Sequence, residues 1–261
     1  MSINIVLTGA SGRMGRTLYA MFSANPDFKV ANLVCREEEL KDVKDYCGRN
    51  AFTSLAEALK GVENPVVIDF TAPAASLSFA RTAAEHGAAH VIGTTGLDEA
   101  QRAELAELAQ KTPILWSPNM SVGVNVLLKV LPELTRMLGE NYDVEVMEIH
   151  HNKKKDSPSG TAVRFGEALA EAKGWNYKDV ACCHREGIIG ERPKQEVGMQ
   201  TLRGGDVVGV HTVYFFGPGE RIEVTHQAHS RENFASGALR AARWLAGQKA
   251  GKLYSINDML A

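Results

Sequence analysis

The chain has 261 residues, 44% hydrophobic and 23% charged, with a formal net charge of −2, enough for one large domain or two modest ones around a real core. That balance argues against general nucleic-acid binding or a membrane-surface role, and no apolar stretch approaches membrane-spanning length. The four cysteines (Cys35, Cys47, Cys182 and Cys183) show no metal-ligand spacing and no disulfide framework, and the opening MSINIVLTGASG lacks a basic leader and cleavage site, so a cytoplasmic protein is expected.

The first half alternates between strand and helix patterns. Ile3–Thr8 is an apolar run ending in glycine, Thr17–Ser23 continues as a helix, and Asn25-Pro26-Asp27 breaks it. Strands follow at Lys29–Val34, Val66–Phe70, His90–Ile92 and Ile114–Trp116, with helices at Ala74–His86 and Asp98–Gln110. Alternation of this kind predicts βαβ units and a Rossmann-type, doubly wound parallel sheet.

TGASGRMG places Gly9, Gly12 and Gly15 three residues apart, after the first strand and at the mouth of a helix. Glycines permit a tight turn there and let a pyrophosphate approach the backbone, while the helix start offers N–H groups to an anion. The same triplet would serve a plain strand-to-helix turn; its place in the first βαβ unit favours dinucleotide binding.

The end of the second strand reads LVCREEEL. A carboxylate there would bind ribose hydroxyls, and an arginine a 2′-phosphate. Cys35 is no strong acceptor, whereas Arg36 can meet a phosphate as a planar fork. Glu37, Glu38 and Glu39 oppose this by repelling the phosphate or neutralising Arg36, and a solvated charged loop is the plain alternative. NADPH is the favoured cofactor, with NADH the alternative. DFTAP (Asp69–Pro73), IGTTG (Ile92–Gly96) and SPNMS (Ser117–Ser121) each end a predicted strand, where ligands of such sheets bind. Phe70 and Thr71 are candidates to touch the nicotinamide, and Gly93, Thr94, Thr95 and Asn119 to bond its carboxamide.

After Gly123 the pattern changes. A helix over Val124–Leu138 leads into a strand at Asp143–His150, and a helix runs from near Gly160 toward Lys173. Strands at Val197–Arg203, Val207–Phe216 and Arg221–Gln227 are joined by Gly-Gly-Asp and Gly-Pro-Gly turns, which predict hairpins and a mostly antiparallel sheet. A last helix at Asn233–Ala246 returns to the first domain. The expected division is a dinucleotide-binding domain of residues 1–121 and 232–261, and a smaller α+β substrate and oligomerisation domain of residues 122–231. Hinges are expected near Ser121–Gly123 and Ser230–Glu232.

Residues 148–162 read EIHHNKKKDSPSGTA. Most charge runs are solvated faces, but His150, His151, Lys153, Lys154 and Lys155 stand just before a helix opened by Gly160 and Thr161, with Ser159 as its cap. The helix end adds roughly 0.3–1 kcal/mol of attraction for a carboxylate. The segment suits a small dicarboxylate, and with the nucleotide half it suggests hydride delivery to an unsaturated bond beside carboxylates. Adjacent histidines on a strand point to opposite faces, so a metal pair is the weaker reading of them and no metal is expected.

Taken together, GASGRMG, DFTAP, VIGTTG, NMSVGVN, EIHHNKKKDSPSGTA, REGIIGER and THQAHSRENFASGA resemble the 4-hydroxy-tetrahydrodipicolinate reductase (dihydrodipicolinate reductase) family over essentially the whole chain. The resemblance implies reduction of a hydroxyl-bearing cyclic imine to tetrahydrodipicolinate, with loss of water, in lysine and diaminopimelate synthesis. It implies His150 as catalytic acid/base and Lys154 as proton donor, with His151, Ser159, Gly160 and Thr161 holding substrate carboxylates. Gly9, Ala10, Ser11, Gly12, Arg13 and Met14 would cradle the pyrophosphate. Gly93–Thr95 and Ser117, Pro118, Asn119 and Met120 would border the nicotinamide, with Arg231 and Phe234 close by. It further implies a homotetramer joined through the β-rich domain. Cys35 departs from the family's usual acidic residue, Lys153 and Lys155 add charge beside Lys154, and Met120 stands where an aromatic residue can occur.

Three other readings compete with this one. A reductase of another small carboxylate shares the two-domain plan. A cofactor sensor would show a degraded basic segment, and a nucleic-acid binder would need a wider basic face with stacking aromatics.

Overall fold

The computed structural model describes residues 2–48 and 50–261; Met1, the first residue of the expected dinucleotide domain, and Arg49 lie outside them. The chain separates into two compact units, one of Met1–Val122 with Arg231–Ala261 and the other of Gly123–Ser230.

The first unit begins with β1 (Ile3–Thr8), α1 (Arg13–Ala24), β2 (Phe28–Val34), a 3-10 turn (Glu37–Glu39), α2 (Leu40–Cys47), β3 (Ala51–Phe52) and α3 (Leu55–Leu59). It continues with β4 (Val66–Asp69), α4 (Pro73–Glu85), β5 (Ala89–Ile92), α5 (Glu99–Leu108) and β6 (Ile114–Trp116). The second unit contains α6 (Val122–Leu138, starting at the boundary), β7 (Asp143–His150), α7 (Gly160–Ala172), α8 (Tyr177–Val180), β8 (Ala181–Cys182), β9 (Val197–Arg203), β10 (Gly209–Gly217) and β11 (Glu220–Ala228). The chain then returns to the first unit as α9 (Glu232–Leu245), β12 (Leu253–Tyr254) and α10 (Ile256–Met259).

Among the described residues the first unit's sheet runs β12-β6-β5-β4-β1-β2-β3, with every pairing parallel. Its central strands are continuous apolar runs because both faces are covered. Ile5, Val6, Leu7, Val67 and Ile68 are all fully buried. The strand order reverses between β1 and β4, where open sheets of this kind leave a crevice at their carboxyl ends. α1 starts at Arg13, a turn earlier than the pattern predicts, because Gly12 already serves as its N-cap. α2, β3 and α3 are too short to leave a periodic pattern in the sequence.

The second unit's sheet runs β11-β10-β7-β9-β8. β7 alternates cleanly, with Val144, Val146, Glu148 and His150 buried on the face covered by α6 and α7. Pro218-Gly219 closes the expected hairpin between β10 and β11. The turn at Gly204-Gly205-Asp206 does not close one: β9 lies parallel to β7 after the α7 crossover, and the turn carries the chain over the end of β7 to β10 on its far side. The sheet is therefore mixed, with antiparallel pairing on one flank of β7 and parallel on the other.

Phe22 is fully buried and packs edge-on against Phe28, with ring centroids 4.9 Å apart. Phe22→Ala should cost about 3–5 kcal/mol, read as a lowered urea midpoint. Met137→Ala, at a position 85% exposed, should change stability by no more than about 0.5 kcal/mol and leave the midpoint nearly unmoved.

Candidate active site

In the first unit the turn after β1 depends on Gly9. Its φ is +60°, and a Cβ there would stand 2.6 Å from Thr71 Cγ2, so only glycine keeps this concavity open. Gly12 N donates to Gly9 O at 3.1 Å, and the Tyr46 hydroxyl donates to Ala10 O at 2.7 Å, which fixes the turn's shape. No acidic side chain occupies the first turn of α1, so the helix's positive end is not neutralised from within. Arg13 is exposed at that end.

Met14 reaches from α1 into a cavity of about 350 Å³. The ends of β4 and β5 supply Phe70, Thr71, Gly93, Thr94 and Thr95 to its wall, and the segment after β6 supplies Pro118, Asn119 and Met120. Arg231 and Phe234, at the start of α9, complete the lining. The turns are braced from below. The buried Asp69 accepts from Thr8 Oγ1 at 3.1 Å and Thr71 Oγ1 at 2.6 Å, and burial pushes its carboxyl above the ordinary range. Thr71 N donates to Thr94 Oγ1 at 2.9 Å, and Trp116 Nε1 donates to Thr94 O at 3.1 Å. Ser117 does not line the cavity. Its hydroxyl turns back to Asn119 O at 2.7 Å.

Arg36 stands apart from these residues and is already engaged. Its guanidinium pairs with Glu39 at 2.5 Å and Glu38 at 3.1 Å. Glu39 also accepts from Ser11 Oγ at 2.6 Å, and the hydrogen bonds from Arg36 and Ser11 hold its carboxyl down at about 2. The glycine cradle, the helix start free of acidic side chains and the cavity along the strand ends fit a dinucleotide.

In the second unit a carboxylate the sequence reading passed over organises the site. Glu148 is 1% exposed and lies two residues before His150, on the same face of β7. It accepts from His150 Nδ1 at 2.6 Å, from Ser159 N at 2.9 Å, and from both terminal nitrogens of Arg203 at 2.7 and 2.8 Å. Thr201 Oγ1 adds a bond at 3.3 Å. Burial alone would raise this carboxyl, but the bonds from His150, Arg203 and Ser159 together outweigh it and hold it at about 2. An ionised Glu148 requires the hydrogen of His150 on Nδ1, which turns Nε2 away from Glu148. Gly209 leaves room beside that nitrogen: a Cβ there would stand 3.0 Å from Nε2.

The network extends to the lysine. Arg203 also donates to Asp156 O at 2.8 Å, and Asp156 holds Lys154 Nζ at 3.0 Å. His150, Glu148, Arg203, Asp156 and Lys154 thus form one connected set. Ser159 caps α7 by accepting from Ala162 N at 3.2 Å, and its hydroxyl lies 2.9 Å from His211 Nε2. Burial, and then the nearby His150, press His211 down to about 3, so it is a neutral partner. Gly160 and Thr161 open α7, whose first turn holds no acidic side chain. His151 is placed otherwise: its backbone N bonds Val207 O at 2.8 Å, and its Nδ1 accepts from Lys153 N at 3.2 Å. The signal that would have found Glu148 is the alternation of β7, which puts a carboxylate among valines two positions from His150.

Family models described as "Dihydrodipicolinate reductase, N-terminus" and "Dihydrodipicolinate reductase, C-terminus" match residues 3–120 and 123–260. The chain is 59% identical over 260 residues to the 4-hydroxy-tetrahydrodipicolinate reductase of Oleidesulfovibrio alaskensis, covering 100% of both chains. It is 61% identical over 260 residues to that of Nitratidesulfovibrio vulgaris, covering 99% of this chain and 100% of the other. The dipicolinate-bound dihydrodipicolinate reductase from Paenisporosarcina sp. TG-14 shares the fold, with a TM-score of 0.78 over 98% of each chain at 21% identity.

The Glu148 network carries a measurable pH dependence. Its folded carboxyl sits near 2 against an ordinary 4.5, so the stability it supplies is fully present above about pH 4.5 and is lost as pH falls toward 2. Removing the anion while leaving the half-buried Arg203 without its partner should cost on the order of 3 kcal/mol. In urea titrations between pH 2 and 6, wild type and Glu148→Gln should therefore differ most at pH 6 and converge as the pH falls.

Proposed function

This chain belongs to the dihydrodipicolinate reductase family, and from that premise we propose how its residues perform the family's reaction. That reaction is the pyridine-nucleotide-dependent reduction of 4-hydroxy-tetrahydrodipicolinate to tetrahydrodipicolinate, with loss of water, in lysine and diaminopimelate biosynthesis. When bound, the nicotinamide supplies a hydride. The turn Gly9–Met14 would hold the pyrophosphate. Phe70, Thr71, Gly93–Thr95 and Ser117–Met120 would surround the nicotinamide, Ser117 by shaping the turn. Arg36 favours NADPH over NADH by offering a guanidinium to the 2′-phosphate.

The second unit would bind the dicarboxylate substrate. Gly160 and Thr161, at the positive end of α7, attract its carboxylates, with Ser159 and His151 beside them. Negative charge develops on the acceptor as the hydride adds, and Lys154 supplies the neutralising proton. His150 takes and returns, at Nε2, the proton that moves as water leaves. Overall one hydride and one proton are consumed and one water is released. The observation that carries these roles is the buried Glu148, which fixes the tautomer of His150 and, through Arg203 and Asp156, the position of Lys154.

A homotetramer joined through the second unit and a cytoplasmic location belong to the same reading. Leu202 and Phe216, exposed on the sheet face opposite α6 and α7, support the first. The four free cysteines support the second. Among the described residues no helix is long and apolar enough to cross a membrane.

The test is a coupled assay in which pyruvate and aspartate semialdehyde are condensed by the preceding pathway enzyme and NADPH absorbance is followed. His150→Gln and Lys154→Ala should each lower kcat by roughly 10²–10⁴-fold, with the NADPH dissociation constant unchanged by calorimetry. A kcat near wild type in both would overturn the assigned roles.

A further inference from the structure

The end of β2 offers no carboxylate in sequence, because Cys35 stands there. The fold brings one by another route. The 3-10 turn Glu37–Glu39 bends the chain back on itself, so that Glu39 N donates to Arg36 O at 3.0 Å and Arg36 N donates to Glu39 Oε2 at 3.3 Å. The same Oε2 accepts from Ser11 Oγ at 2.6 Å, in the glycine-rich turn that follows β1. The other oxygen, Oε1, takes Arg36 at 2.5 Å. One carboxylate therefore bridges the ends of β1 and β2, where a dinucleotide-binding sheet places the adenosine ribose.

We propose that Glu39 sets the nucleotide preference of this chain: it accepts a hydrogen bond from the adenosine ribose of NADH, and through its pairing with Arg36 it opposes the 2′-phosphate of NADPH. The proposal rests on the reading of the glycine-rich turn as the dinucleotide site. Its physical basis is competition between two anions for one guanidinium. The Arg36 side chain is 73% exposed, so its pair with Glu39 is weakly held and exchangeable. A 2′-phosphate must share Arg36 with Glu39 and lie close to its negative charge. A ribose hydroxyl meets neither cost and gains an ionised acceptor, while Ser11 can turn its hydroxyl toward either ligand. Cys35 thus does not exclude NADH, because the missing acid is returned from four residues further along.

Calorimetric binding of NADH and NADPH to the full chain tests this without turnover. Glu39→Gln should weaken NADH roughly tenfold and tighten NADPH several-fold, and Arg36→Ala should weaken NADPH roughly tenfold with NADH little changed. Because the effect lies at the adenosine end, 2′,5′-ADP and 5′-ADP should show the same reversal. A Glu39→Gln protein whose NADH-to-NADPH ratio stays within about twofold of wild type, or that loses both nucleotides equally, would overturn the role of Glu39. A wild type that binds neither nucleotide would instead overturn the dinucleotide reading of the turn itself.

Discussion

Burying the carboxylate of Glu148 on the inner face of β7 costs free energy that only a complete set of donors can offset. Those donors come from three places: His150 on the same strand, Thr201 and Arg203 on β9, and the Ser159 backbone at the mouth of α7. The ion therefore couples strand register, the helix start and the basic loop, and none of these can shift without leaving a buried charge short of partners. The residues given chemical roles hang on this arrangement. His150 has one tautomer because Glu148 is ionised, and Lys154 has one position because Asp156 is tied through Arg203 to the same anion.

The nucleotide unit solves a different problem, the approach of a large anion to backbone. Its means are the missing Cβ of Gly9, a helix start free of acidic side chains, and strand ends cross-braced by Asp69, Thr71 and Thr94. At its periphery Arg36 and Glu39 meet. On the reading proposed above, the frame would recognise the shared part of the cofactor, and Arg36 and Glu39 would discriminate between its two forms. Such side chains can change without disturbing the sheet.

Much of this was legible in the sequence, because the signals are local. Apolar runs marked the buried parallel strands, and the glycine triplet marked the turn after β1. The EIHHNKKKDSPSGTA segment showed both histidines, the lysine and the capped helix. What stayed hidden depended on distant or conditional geometry. Arg203 lies 55 residues from Glu148, so no spacing rule joins them. The Gly-Gly-Asp turn has hairpin chemistry, but the α7 crossover had already placed β9 on the parallel flank of β7. Glu39 read as one member of a charged loop, since only the 3-10 turn aims it back toward Ser11. The short elements between residues 37 and 59 left no periodic trace at all.

The discontinuity of the first unit has a consequence for how the protein emerges during synthesis. Strands β1 to β6 leave the ribosome first, yet β12 pairs with β6, and α9 covers one side of the sheet with Ala238, Leu239, Ala241, Ala242 and Leu245 in its core. Those residues follow the whole of the second unit. A nascent chain that has made the glycine-rich turn must therefore wait, with part of its apolar sheet uncovered, while residues 123–230 are translated. The second unit is contiguous, and the donors to Glu148 all lie within it. Until α9 and β12 are made, part of the apolar sheet lacks its cover, the kind of exposure that makes partly folded chains prone to aggregate.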